Sequence, residues 1–228
     1  MRFLLGLLAL IGAALSLAVA APAANRDWQT TVTKTAAGSF LIGNPAAKVK
    51  LVEYLSYTCP HCAAFSKESA AVLRGQMVKS GSTSIEVRNL VRDQLDLDAA
   101  LLARCAGAAG FDKLSTAIFA AQDQWLPAAI DFEQANGQRL AMYPKMARLK
   151  ASADGGGLTA IARANGMSQA TIDACFANDA NLQPIMAMMQ QIPAGVTGTP
   201  GFVINGKLQA GVYDWAHLQP ALRAAGAR

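Results

Sequence analysis

The spacing of apolar positions changes character several times along this chain. After one basic residue, Arg2, residues 3–20 are almost wholly apolar. Residues 25–37 are polar and Thr-rich, with Trp28 and Val32 the only large apolar groups, and leave room for a short edge strand near 31–35. A brief apolar piece, 39–42, is stopped by the turn signal Gly43-Asn44-Pro45. Residues 49–55 (VKLVEYL) carry apolar, branched and aromatic side chains at Val49, Leu51, Val52, Tyr54 and Leu55 and predict a strand. That run ends at Cys59-Pro60-His61-Cys62. An alanine-rich helical pattern follows to about residue 80, where Gly81 breaks it, and TSIEVRNLV over 83–91 reads as another strand.

From residue 96 to 191 no convincing strand occurs. Alanine, leucine and glutamine dominate, and the spacing predicts amphipathic helices over 97–109, 112–122, 132–149, 158–164, 168–177 and 182–192. Gly107, Gly110, Pro127, Asn136-Gly137, Pro144, the glycines at 155–157 and Gly166 are the expected breaks. Ser168 and Asp112 are the expected helix starts. The stripe Ile185, Met186, Met188, Met189 and Ile192 has helical spacing and reads as core rather than a pliable binding face. Strand chemistry then returns: a turn cluster at 196–201, a buried-type strand at 202–204, a two-residue Asn205-Gly206 hairpin turn and a partner strand at 207–209. Asp214 can cap a last helix to about 225. No fixed-period repeat is present. The order β–β–α–β, helical block, β–β–α predicts an α/β fold with an all-helical insertion.

Composition changes this picture in two ways. The apolar start, followed by Ala18-Val19-Ala20, has the form of a secretory signal peptide, with Ala21-Pro22-Ala23 as a second cleavage option; an uncleaved membrane anchor is the alternative. Its removal leaves one sizeable core's worth of chain in a compartment where disulfides persist, and four cysteines allow two of them. The formal charge of +5 is mild and its basic residues are scattered, without an aromatic-interleaved stripe, so nucleic-acid binding has no support.

The chemistry concentrates at Cys59–Cys62. Pro60 suits a first helical position, which puts Cys59 at the N-terminus of a helix leaving a strand. Unpaired N–H groups and the helix dipole there stabilise a negative sulfur, and Cys62 lies one turn on, on the same face. Helix-start C-x-x-C sites lower a thiol pKa to roughly 3.5–7.5, and the thiolate is the form that attacks disulfides and leaves from them. His61, between the sulfurs, can stabilise the Cys59 thiolate and so make the disulfide more oxidising. Zinc or copper binding is the rival from another class, but there is no second C-x-x-C or H-x-x-H and the only other histidine is His217. Covalent haem would need histidine where Ala63 stands. An inert structural disulfide is the remaining alternative.

Strand–CPHC–helix, a helical insert, V-T-G-T-P-G-F-V-I-N-G and a final helix together resemble the DsbA family of exported thiol–disulfide oxidoreductases over nearly all of the chain after the signal segment. The resemblance implies a thioredoxin-like fold with an inserted helical domain. The expected division is 1–20 signal peptide, 21–38 N-terminal leader, 39–95 first thioredoxin-like part, 96–192 insertion and 193–228 second thioredoxin-like part. It also implies a cis Pro200 beside the redox pair, with Thr199 preceding it, and a proton-transfer role for Glu53, six residues before Cys59; an ordinary strand-edge carboxylate is the alternative for Glu53. Some DsbA relatives carry a second disulfide, which makes Cys105 and Cys175 a candidate structural pair; two buried free thiols is the other reading.

The expectation is a periplasmic protein dithiol oxidase needing no cofactor. Cys59 would be the exposed nucleophile and Cys62 its more buried partner. Unfolded exported proteins with free cysteines would be the clients and a DsbB-type membrane oxidase the re-oxidant, the chain itself being a monomer. Thr199 keeps isomerase or reductase activity open, since threonine also precedes the cis-proline in isomerases. A metal-delivery module that keeps both thiols reduced is the reading from a different class.

Overall fold

A computed structural model describes residues 26–228. The signal-peptide reading falls on residues outside that range. Among the described residues six strands form one mixed sheet: β1 (Val32–Lys34), β2 (Phe40–Gly43), β3 (Val49–Leu55), β4 (Thr83–Asn89), β5 (Gly201–Ile204) and β6 (Lys207–Leu208), in the spatial order β1-β2-β4-β3-β5-β6. β3 and β4 run parallel with Leu55 opposite Asn89, and every other neighbour is antiparallel. A parallel pair needs a crossover. Helix α1 (Pro60–Ser69) supplies it, continuing as a π-helix over Ala70–Val78, and Gly81, at φ +78°, turns the chain into β4. β3 is central and covered, which its dense apolar run anticipated; Val49, Leu51, Tyr54 and Leu55 are all buried.

Between β4 and β5 the described chain is helical: α2 (Gln94–Cys105), α3 (Gly107–Ala120), α4 (Gln122–Ala141), α5 (Lys145–Gly155), α6 (Leu158–Ala164), α7 (Gln169–Ala177) and α8 (Gln183–Gln190), with a single 3-10 turn at Asp179–Leu182. Several expected breaks fall elsewhere. Pro127 and Asn136-Gly137 lie inside α4, whose inward face buries Trp125, Ala129 and Leu140; packing of that face outweighs local propensity. The helix expected over 132–149 is interrupted instead at Met142–Pro144, where Pro144 takes an extended conformation. Asp112 starts no helix: it sits within α3 and pairs with Arg74 of the π-helix. Ser168 does cap α7, accepting from the N–H of Thr171.

The methionine stripe divides. Ile185 and Met188 are core, whereas Met186 is 46% exposed.

The helical block and the sheet share one core. Phe40 of β2 stacks on Phe111 of α3 at 4.0 Å, and Arg104 of α2 lies over Phe40 while donating to the Gly38 carbonyl. The β5–β6 turn uses left-handed Asn205 and Gly206, as the Asn-Gly pair requires. Helix α9 (Trp215–Ala225) closes the fold, its N-terminus capped by Asp214 accepting from the N–H of His217. Sulfurs of Cys105 and Cys175 are bonded to each other, tying α2 to α7 across 70 residues of sequence. No helix among the described residues is long and apolar enough to cross a membrane.

Candidate active site: a dithiol pair under a cis-proline loop

Cys59 is the N-cap of α1 and Pro60 its first residue. The Cys59 carbonyl accepts from the N–H of Cys62 at 3.1 Å and of Ala63 at 3.3 Å, so the helix begins at that carbonyl. The main-chain N–H groups of His61 and Cys62 bear on its sulfur. Cys59 and Cys62 are both unbonded thiols here.

The two sulfurs have opposite acidities. Cys59 is pulled down to about 4, first by a hydrogen bond from the Cys62 thiol; the Thr199 side chain and the main-chain N–H groups of Cys62 and His61 add to this against the opposing effect of burial. Cys62 is pushed well above the usual thiol range, first by burial and then by the neighbouring Cys59 sulfur. One sulfur is therefore held as an anion at neutral pH and the other as a thiol.

Beside them runs the loop into β5. The Thr199–Pro200 peptide bond is cis, and the Cys59 thiol, when protonated, donates to the Thr199 carbonyl at 3.2 Å. Glycine follows for a steric reason: a Cβ on Gly201 would stand 2.8 Å from Val196 Cγ1 and 3.1 Å from the Gly198 carbonyl oxygen. Val196, Thr199 and Pro200 are buried. The expectation of an exposed Cys59 is corrected here: its relative exposure is 3% against 0% for Cys62, because the Thr199–Pro200 turn lies over it.

His61 and Pro60 are exposed on the outer turn. It is the main-chain N–H of His61 that bears on the Cys59 sulfur. Glu53 lies on β3 at 4% exposure, and burial raises its carboxyl from 4.5 to about 7, with Arg74 opposing the rise and Asp112 reinforcing it. A cavity of about 10 Å³, room for one water, adjoins it between Ser66, Ser69, Arg74 and Ser115. Glu53's charge also raises Cys62, so the acid and the buried sulfur are electrostatically coupled.

Groups that no sequence motif marked hold the turn before Cys59. Asp96 accepts from the N–H of Tyr57 at 2.7 Å, Asp93 accepts from the Thr58 hydroxyl at 2.6 Å, and Gln122 donates to the carbonyls of Tyr57 and Cys59. Tyr57 is fully buried and donates its hydroxyl to Ser115. Among the described residues, no three His, Cys, Asp or Glu side chains are grouped to hold a metal ion.

A strand–CxxC–helix unit facing a cis-proline turn, with a helical block inserted between its halves, defines a thioredoxin-type dithiol protein of DsbA-like architecture. The chain belongs to the thioredoxin family, whose model matches residues 35–224. It is similar to a crystal structure of a protein-disulfide isomerase from Novosphingobium aromaticivorans, with 40% identity and a TM-score of 0.74, covering 81% of this chain and 95% of that one. It shares the fold of Wolbachia pipientis alpha-DsbA1, with 19% identity and a TM-score of 0.63, covering 82% and 90% of the two chains. A protein of Rickettsia conorii named as a protein-disulfide oxidoreductase is 30% identical over 178 residues, 76% of this chain and 55% of that protein. The chain thus spans about half the length of the curated relatives it matches.

Proposed function

We propose that the protein is a thiol:disulfide oxidoreductase that oxidises dithiols in exported proteins through Cys59 and Cys62. A client thiolate attacks the Cys59 sulfur of the Cys59–Cys62 disulfide, forming a mixed disulfide and expelling Cys62, which takes up a proton. The client's second thiolate then attacks its own sulfur in that mixed disulfide, and Cys59 leaves as the thiolate. The client loses two electrons and gains a disulfide; the protein gains two electrons and becomes the dithiol. The single observation that supports this direction is the split acidity of the pair: Cys59 at about 4 is a stable leaving thiolate, which favours the reduced protein as product.

Glu53, whose charge acts on Cys62, supplies or accepts the proton that Cys62 exchanges. Thr199 and cis-Pro200 offer the surface along which an extended client segment lies next to Cys59. Pro60 preorganises the first turn of α1 and His61 contributes its N–H there. A DsbB-type membrane oxidase would return the pair to the disulfide, in the periplasm, with the protein acting as a monomer.

The Novosphingobium neighbour, named as a protein-disulfide isomerase, favours a second reading, isomerisation. The deciding experiment mixes the oxidised protein with a reduced unfolded client and, separately, the reduced protein with a scrambled-disulfide client. Rapid oxidation with weak rescue is the expected result. Rescue at the level of a dedicated isomerase, with slow oxidation, would reverse the assignment. Cys59→Ser should abolish transfer, and Cys62→Ser should accumulate mixed disulfides at Cys59.

A further inference from the structure

The sulfur of Cys59 is held by groups of the thioredoxin part, but the main chain carrying it is held by the helical insertion. Gln122 is the first residue of α4 and only 8% exposed. Its Nε2 donates to the Tyr57 carbonyl at 2.7 Å and to the Cys59 carbonyl at 3.0 Å. From α2, Asp96 takes the Tyr57 N–H, and the α2 cap Asp93 takes the Thr58 hydroxyl. Tyr57, Thr58 and Cys59 are therefore each gripped by a side chain from outside the sheet.

Gln122's contact bears on the sulfur most directly. The Cys59 carbonyl is the acceptor on which the Cys62 and Ala63 N–H groups converge. Its direction fixes the Cys59–Pro60 peptide plane, and with it the position of the Cys59 sulfur relative to the first turn of α1. A primary amide suits the position because its two hydrogens satisfy two buried carbonyls without bringing a charge out of water. We propose that Gln122 is a positioning residue for the redox pair: by bridging the Tyr57 and Cys59 carbonyls it holds the Cys59 sulfur against the N–H groups of α1, and it links the helical insertion mechanically to the reacting sulfur. The proposal rests on the reading of Cys59–Cys62 as a transferable disulfide.

Gln122→Met keeps the side chain's length and bulk and removes both donors. The expected result is a rise in the apparent Cys59 pKa, read from thiolate absorbance of the reduced protein, of roughly half a unit to one unit, the effect of one neutral hydrogen bond. The equilibrium constant against glutathione should shift by the same roughly threefold to tenfold factor toward the disulfide, because a less stable thiolate makes a weaker oxidant. Gln122→Asn keeps the amide but falls one methylene short of bridging both carbonyls. It should move both quantities the same way by less, and it decides the matter if the Met variant does not fold. A role confined to satisfying buried carbonyls would lower melting temperature alone; variants that melt earlier yet titrate and equilibrate as the wild type would overturn the proposal. Neither readout involves a client. Failure of the wild type to oxidise a reduced client would count against the functional reading, and unchanged titration of the variants against the role of Gln122.

Discussion

Glu53→Gln is expected to make the protein more stable, in a way that depends on pH. Burial of the carboxyl lifts its pKa from 4.5 to about 7, so the folded protein prefers the neutral acid. Between those two values the folded state binds more protons than the unfolded state, and stability falls as pH rises. Below about 4.5 the wild type has its full share; above about 7 it has lost a contribution of about 3 kcal/mol, at roughly 1.4 kcal/mol per pH unit of displacement. Glutamine keeps the shape and never ionises, so the variant lacks this loss.

Urea unfolding of the reduced wild type and variant at pH 4 and pH 8 measures the difference. Near-equal stabilities are expected at pH 4, and an advantage of about 3 kcal/mol for Glu53→Gln at pH 8. In a melt this is roughly 6–12 °C for a chain of this size. Titration of Cys59 is common to both proteins and cancels. The same variant should slow whichever step requires a proton to reach or leave Cys62. A difference that is the same at both pH values, or a destabilised variant at pH 8, would refute the argument that a buried, proton-exchanging acid lies under the redox pair.

The reduced protein should show a thiolate titrating near pH 4 that disappears in Cys59→Ser; a lone apparent value near 8.5 would remove the basis for an oxidant. His61→Ala should raise that value by less than about one unit, because the N–H that faces the sulfur belongs to the main chain and survives the change. Cys105→Ala combined with Cys175→Ala should cost about 4 kcal/mol in the chain-entropy model for a loop of 70 residues, measured by denaturant unfolding, while leaving Cys59 titration unchanged. Asp98→Asn should stabilise the protein at neutral pH and not at pH 4, since the buried Asp98 carboxyl finds no hydrogen-bond partner and burial holds its pKa well above the usual range.

Much of the site was legible because short-range rules govern it. Cys59, Pro60 and Cys62 declare a helix start through spacing and proline geometry alone, and Asn205-Gly206 declares a hairpin. The cis bond at Pro200 came from resemblance to a family, not from any local signal. What was not legible depends on contacts distant in sequence. Pro127 looks like a break until Trp125 and Ala129 find a core to pack into, and Asp112 looks like a cap until Arg74 is opposite it. Gln122 closed a predicted helix with nothing to mark it as the partner of Cys59, 63 residues earlier. Such a bridge is made of ordinary amide hydrogen bonds, and only the folded chain brings them together.

The same division explains how two cysteines three residues apart acquire opposite acidities. Helix geometry favours a thiolate near the N-terminus, which selects Cys59 over Cys62. It does not account for how high Cys62 lies; that follows from complete burial beside a negatively charged sulfur and a carboxyl on the central strand. The two effects act together, since Cys62 keeps its proton over the range in which Cys59 ionises and so stays available as a donor to the Cys59 sulfur. The split acidity of the pair thus belongs to the central strand and the helix start, with the residues between the cysteines tuning it.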